Sequence, residues 1–368
     1  MKRASRILTM ALAACLTTPG LTDRATAAYL ESDAPAASTT DHAERVLPPP
    51  PTGPSPEAPV TRLIRSLSVG TPYLYRGLAV FPLQIGGRGW DSGIRTLDDT
   101  AGRSGIEIRE KPDAQVGRIS LRNGSGSYVL LMGGEMLTGG RQNRIVSDDC
   151  LLPPHSDFVD VAVYCGERDR WTQVGRGEFD SPHVLANPAL RSSAAAGASQ
   201  DAIWSEIDTQ ADRANIRSPT RDYHRIYEDD AVRKDLDDFG RHFQDFCGPR
   251  TVGAAAAVGG RIVGIDVFGD PALFAALWPK MLRAYALDCC LSKGMPESSL
   301  TAGEVARRVE RIASARCNEQ YTPGAGALLA IRGTAFGYAL VWSDAVVHIS
   351  VFEERYSAPV PVNPGPIL

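Results

Sequence analysis

Gly133-Gly134-Glu135-Met136-Leu137-Thr138-Gly139-Gly140-Arg141-Gln142-Asn143-Arg144 directly follows the apolar run Tyr128-Val129-Leu130-Leu131-Met132, and this junction constrains the fold more than any other stretch. The apolar run reads as a buried strand. Four glycines then permit a sharp turn or a close backbone approach. A carboxylate, two guanidiniums and two amides come with them, each needing hydrogen-bond partners in defined directions. A core cannot hold such a set unpaired, since a buried polar group without a partner costs about 1–3 kcal/mol. The fold must either wrap partners around this loop or turn it towards a ligand. Glu135, Arg141, Gln142, Asn143 and Arg144 are therefore candidate binding residues for an anionic or polyhydroxylated ligand, because Arg matches carboxylate and phosphate bidentately. The competing reading is an internal network in which Glu135 pairs with Arg141 or Arg144.

The same region reads mainly as β-structure. Leu78–Leu83, Gly105–Glu110, Val116–Leu121, Tyr128–Met132 and Asp157–Cys165 are short runs of alternating or continuous apolar character, separated by turn residues. Asn123-Gly124 predicts a hairpin turn between two of them. Helices follow. Ala202–Ala214 has helical spacing, and from Tyr223 the apolar residues Ile226, Tyr227, Val232, Leu236, Phe239, Phe243 and Phe246 make one stripe. The opposite face carries Glu228, Asp229, Asp230, Asp235, Asp237 and Asp238, which reads as a solvated surface. Thr251–Val258 and Arg261–Phe268 flank Gly259-Gly260, a strong hairpin signal. Asp270-Pro271 is an N-cap followed by a first-turn proline, and Pro279 predicts a kink or restart in the helix that follows. Thr301–Arg316 reads as a further helix, and Ala327–Ile331, Phe336–Trp342 and Val346–Phe352 as an antiparallel meander. Strands, then helices, then hairpins give an α+β fold: short-strand antiparallel sheets packed with a few amphipathic helices.

The amino terminus carries an address. Met1-Lys2-Arg3-Ala4-Ser5-Arg6 is cationic and Ile7–Leu16 is apolar, the pattern of a secretory signal and too short for a bilayer span. Leu12-Ala13-Ala14-Cys15 reads as a bacterial lipobox with Cys15 as the lipidated residue, while Ala25-Thr26-Ala27 before Ala28 reads as an ordinary cleavage site. The lipobox is the better fit, because the second site leaves the polar gap Thr17–Arg24 between apolar core and cut. Residues 29–62 hold Pro35, Pro48 through Pro51, Pro54, Pro56 and Pro59 with little to bury, so they read as an extended spacer. The folded domain is expected over 63–356, with a proline-rich tail at 357–368.

Charge narrows the partners. The chain is at −4, and setting aside Lys2, Arg3 and Arg6 lowers this by three, to −7. With no clustered Lys and Arg visible in the sequence, a nucleic-acid partner is not expected. Of the seven cysteines, Cys15 belongs to the leader. The other six (Cys150, Cys165, Cys247, Cys289, Cys290 and Cys317) allow three disulfides in an oxidising compartment. At least one bridge involving Cys247, Cys289, Cys290 or Cys317 is expected. With no C-x-x-C and scattered histidines, no metal site and no cofactor is expected. P-loop, zincin, α/β-hydrolase and EF-hand motifs are likewise missing from the sequence.

Further candidate site residues cluster after the last strand of the β-rich part. Cys165 is followed by Glu167, Arg168, Arg170 and Trp171, and neighbouring guanidiniums can activate a thiol. His348 is the best partner imidazole for such a thiol, although a histidine in Val346-Val347-His348-Ile349 more often sits satisfied in a core. A bridged or buried Cys165 is the plainer reading. Asp266 inside an apolar strand either accepts hydrogen bonds or works as an acid or base. Lys280 and Arg283 read as surface charges.

These segments together resemble the ARPP-1 domain family, named for its association with ADP-ribosylglycohydrolases and rhodanese-superfamily phosphatases. The resemblance rests on Leu130-Leu131-Met132-Gly133-Gly134-Glu135 with Arg141-Gln142-Asn143-Arg144, on Cys165-Gly166-Glu167-Arg168-Asp169-Arg170-Trp171, and on Gly259–Phe268 and Leu277–Asp288. With flanking strands it covers about residues 72–352. It implies no catalytic residues, and hints at a nucleotide-derived ligand, which export argues against. The expectation is an exported, lipid-tethered protein of the periplasm or cell envelope whose single domain binds a polar or anionic ligand or a protein partner. The alternatives are a hydrolase or thiol enzyme using Glu135 or Cys165, and a purely structural envelope component.

Overall fold

The computed structural model describes residues 55–100, 105–111, 116–170, 172, 178–292 and 294–353. The leader with Cys15, most of the spacer, the tail and Trp171 lie outside the described residues. The chain begins with α1 (Ala58–Ser66), β1 (Leu67–Val69), β2 (Tyr73–Tyr75) and β3 (Leu78–Ile85). A β-rich stretch follows: β4 (Arg95–Thr96), α2 (Leu97–Thr100), β5 (Ile106–Glu110), β6 (Arg118–Asn123), β7 (Val129–Leu131), β8 (Met136–Gly139), β9 (Arg144–Val146), β10 (Cys150–Leu152), β11 (Val159–Cys165) and β12 (Phe179–Asp180). Then come α3 (Pro188–Ala195), α4 (Gln200–Ala214), α5 (His224–Glu228) and α6 (Asp230–His242). The chain closes with β13 (Thr251–Val258), β14 (Arg261–Phe268), α7 (Pro271–Leu291), α8 (Ala302–Ile312), β15 (Arg316–Gln320), β16 (Ala327–Arg332), β17 (Ala335–Trp342) and β18 (Ala345–Glu353).

The main sheet is antiparallel, in the order β1-β3-β13-β14-β18-β17-β16-β15, with β2 also on β3. Period-two side-chain alternation splits its residues between two cores. Leu78, Val80, Ala254 and Ala256 face one, with Phe274, Met281 and Leu282 of α7. Ala79, Phe81, Ala255 and Ala257 face the other, with Val60 and Ile64 of α1 and Val305, Val309 and Ile312 of α8. Both faces are thus covered by helices, and β13 is buried along its whole length. The β13–β14 hairpin turns on Gly259 and Gly260, whose φ values of 57° and 77° are those a two-residue primed turn needs.

The residues between β3 and β13, which are neighbours in the sheet, build two smaller sheets, β12-β8-β9-β11-β6-β5 and β10-β7-β4. A third core of Leu97, Ile119, Leu121, Val129, Leu131, Val146 and Leu152 lies between them. The fold is α+β, and its sheets are antiparallel apart from the β4–β7 pair.

Several expectations are corrected. Asn123-Gly124 does not close a hairpin: β6 and β7 belong to different sheets. Asn123 instead organises a corner, donating to the Ser127 and Pro153 carbonyls at 2.8 and 2.9 Å. The helix expected from Tyr223 onward is two helices, because Asp229 breaks out to ψ 132° and caps α6 with its own side chain. Pro279 neither ends nor restarts α7. Burial of Phe274, Leu277, Trp278, Met281 and Leu282 around it outweighs the one lost backbone hydrogen bond. The helix expected over Thr301–Arg316 ends at Ile312, and Arg316 already starts β15. Helix α1 starts at Ala58, ahead of the expected domain boundary, with Pro59 in its first turn. The expected disulfide is not formed: all six described cysteines are free thiols. Cys150, Cys165 and Cys317 sit on three different strands, Cys247 lies between α6 and β13, and the adjacent Cys289 and Cys290 on α7 point about 100° apart.

Candidate functional site

The glycine-flanked loop is built inward. Strand β7 delivers Gly133 and Gly134 into positions where no side chain fits: a Cβ on Gly133 would lie 2.4 Å from the Tyr338 hydroxyl, and one on Gly134 2.6 Å from Cγ of Arg191. Glu135 follows at 1% exposure. Its Oε2 accepts the Met132 N–H at 2.8 Å, and its Oε1 pairs with the Lys280 ammonium. Lys280 also donates to Asp98 Oδ2 at 2.9 Å, and Asp98 in turn accepts from Ser181 Oγ at 2.8 Å and faces His183 Nδ1 at 3.1 Å. Lys280 is therefore not a surface charge: it is 4% exposed, in the middle of a mostly buried helix.

The electrostatics of this chain differ from group to group. Burial opposes the charge on Lys280, but Glu135 and Asp98 outweigh it and hold the ammonium above its ordinary pKa. Burial also opposes ionisation of Asp98, yet Lys280 prevails and keeps that carboxyl below its usual value. Glu135, deeper, goes the other way: burial raises it despite Lys280.

The rest of the loop faces a different neighbourhood. Arg144, 3% exposed, donates to Glu110 Oε1 at 3.1 Å, Gln142 Oε1 at 3.2 Å and Cys165 Sγ at 3.0 Å. Arg141 lies nearer the surface, its side chain 40% exposed and its backbone N–H on Glu110. Arg170 grips Glu167 at 2.6 Å and the Gly139 and Gly140 carbonyls at 3.1 and 2.9 Å. Asn143 joins Arg170 to Asp222, and Gln142 donates to the Arg168 carbonyl at 3.1 Å. Cys165 is 1% exposed, and burial pushes its thiol pKa up against the pull of Arg144. That environment disfavours a thiolate.

His348 is far from Cys165 in role. It lies at 0% exposure in β18, Nδ1 2.6 Å from Asp149 and Nε2 3.1 Å from Asp266. Asp266 also takes both guanidinium nitrogens of Arg191, at 3.2 and 2.7 Å, and the Tyr285 hydroxyl. Arg191 reaches Ser350 Oγ at 2.8 Å, and Asp149 accepts the Gly133 N–H at 2.8 Å. This is a closed, charge-balanced network of two acids and two cations. Glu135, Asn143, Cys165 and His348 thus do not converge on one hollow.

One of these groups of charges does meet a cleft. A hollow of about 410 Å³ is lined by Asp98, His183, His224, Tyr227, Lys280 and Arg283, among others. Its parts come from α2, the loop before α3, α5 and α7. The His183 side chain is 63% exposed, and His224 packs against Glu228 at 3.5 Å. Glu135 lies behind Lys280 and is not part of the lining. Sequence reasoning missed Asp98, His183 and His224. Lys280 carried a readable signal, since a lysine flanked by Leu277, Trp278, Met281 and Leu282 has apolar neighbours on most sides.

Neither a curated protein nor a solved structure matches the chain. The family model of the ARPP-1 domain, the ARG and Rhodanese-Phosphatase-superfamily-associated Protein domain, matches residues 66–352, from the end of α1 to the end of β18. The chain belongs to the ARPP-1 domain family.

Proposed function

We propose that this protein is an exported, lipid-tethered binding module, and that the cleft over Lys280 takes a small polyhydroxylated ligand. The observation that carries the reading is a buried Lys280 held charged between Glu135 and Asp98 and forming part of the wall of a 410 Å³ hollow. His183, His224 and Arg283 add hydrogen-bond donors around the same hollow, and Asp98 adds an acceptor for hydroxyl groups. Export is supported by the cationic Met1–Arg6, the apolar Ile7–Leu16 and the lipobox at Cys15, followed by the proline-rich spacer. The test is a thermal-shift screen of sugars, polyols and sugar acids, repeated with H183A and D98N. A saturable hit weakened about tenfold or more in both variants is expected. A screen with no saturable hit, or hits that ignore both substitutions, refutes the reading.

A hydrolytic reading has one observation in its favour. Asp98 and Glu135 flank one lysine with carboxyl pKa values moved in opposite directions, the arrangement that separates an acid from a base. Glu135 is shielded from the cleft by Lys280, so it could act there only through the ammonium. Binding is the stronger reading. Cys165 does not revive a thiol enzyme, being buried and raised in pKa.

A further inference from the structure

A second concavity, about 450 Å³, opens at the β15 edge of the main sheet and owes nothing to the Lys280 cleft. It is lined by the end of α8, the start of β15 and the β16–β17 turn, and three of its residues are Arg311, Arg316 and Arg332. Arg316 and Arg332 stand directly opposite each other in the β15–β16 ladder. Like charges in that relation repel, so the pairing works against the sheet it sits in. Among the described residues no carboxylate lies within ion-pair distance of Arg311, Arg316 or Arg332, and one side-chain hydrogen bond runs from Arg332 to the neighbouring Ile331 carbonyl at 3.5 Å.

Elsewhere on this surface arginines commonly carry an acid: Arg76 holds Asp235, Arg221 holds Asp169, and Arg308, on the same helix as Arg311, holds Glu353. Three arginines around one hollow, with no described acid on any of them, concentrate positive charge on an otherwise acidic chain. Guanidinium groups match phosphate oxygens in fork geometry, and three of them suit a group carrying at least two negative charges. Ser314 and Thr334 in the same lining can donate their hydroxyls to further oxygens. Ile312 and Ile331 give the hollow an apolar floor that strengthens such contacts.

We propose that the Arg311–Arg316–Arg332 concavity is a binding site for a phosphate or pyrophosphate group, either free or on a lipid headgroup. The test uses the full chain at low salt. Inorganic pyrophosphate is titrated by calorimetry, and co-sedimentation is measured with vesicles of phosphatidylcholine alone or with added phosphatidic acid. The double variant R316Q/R332Q is run beside the wild type. Its melting temperature is expected to be unchanged or higher, because the substitutions remove a repulsion, so loss of binding will not be a folding artefact. Saturable pyrophosphate binding weakened at least tenfold in the variant supports a free phosphate ligand. Binding confined to phosphatidic acid vesicles and lost in the variant supports a headgroup. No binding to either probe, or binding that the variant leaves intact, overturns the proposal.

Discussion

Stability of this protein should fall as pH rises from mildly acidic to mildly alkaline, and His348 should account for a defined share of the fall. Both ring nitrogens of His348 face carboxylates, Asp149 at 2.6 Å and Asp266 at 3.1 Å. A neutral imidazole has one N–H and would leave one carboxylate facing a lone pair, so the doubly protonated ring is the form that satisfies both. Burial pulls the imidazole pKa down, but Asp149 and Asp266 outweigh it and bring it up to about 9. In the unfolded chain the same group titrates at about 6.5. A pKa raised by folding gives stability that is fully present below about 6.5 and is lost as pH climbs towards the folded value near 9. Each pH unit between the two is worth about 1.4 kcal/mol, so the loss between pH 5.5 and 8.5 is about 2.5 kcal/mol. Unfolded cysteines, with a pKa of about 8.5, are already half ionised at the top of that window, a loss that wild type and a His348 variant share. Folded Cys150 and Cys290 are pushed up to about 12, so the thiols add their own loss from about pH 7.5 upward. Urea unfolding at half-unit steps of pH measures the slope, and H348Q removes the titration. At pH 5.5 the variant should be less stable by about 3–5 kcal/mol, the cost of breaking a buried ionic network. The gap should close by about 2.5 kcal/mol at pH 8.5. If the variant does not fold, the ring carbon shifts of wild-type His348 followed by NMR give the same answer. A ring that titrates below about 7, or two stability curves that stay parallel, would refute the argument.

The cysteines and the leader make two further predictions. Alkylation without reductant should label all six of Cys150 through Cys317 in denatured protein, while native Cys150 and Cys165, each 1% exposed, stay unlabelled; any pair that needs a reductant before it labels contradicts the free-thiol arrangement. C15S should move the protein from the detergent phase to the aqueous phase on cell fractionation if the lipobox is used, and an unaltered distribution would rule the anchor out.

Much of the fold is legible where the determining interaction is local in sequence. Gly259-Gly260 between two apolar runs specified the β13–β14 hairpin, and Asp270-Pro271 specified the start of α7, because a turn and a cap are decided within four residues. Asn123-Gly124 has the same local chemistry, but the chain after it leaves for another sheet, pulled by Val129, Leu131 and Leu152 into the third core. Pairing of that kind is set by distant partners. The site shows the same division. The polar loop was visible, and so was its need for partners. That Glu135 would meet Lys280, on an element 145 residues away, was not. A lysine on a helix carries no mark of what faces it. Asp266 was singled out by its apolar strand, because a charge there must be matched, and Arg191 and His348 do the matching.

The network around His348 also bears on how the domain can be cut. Asp149 comes from the β-rich stretch β4–β12, Arg191 from α3, Asp266 from β14 and His348 from β18. Deleting β4 to β12 and rejoining β3 to α3 would strand an imidazolium and a guanidinium beside a lone aspartate in the middle of the sheet. The same stretch transplanted to another scaffold would carry Asp149 with no cation to meet it. Modular swapping, which serves many inserted segments well, should therefore fail here in both directions, and truncation boundaries for expression belong outside residues 58–353.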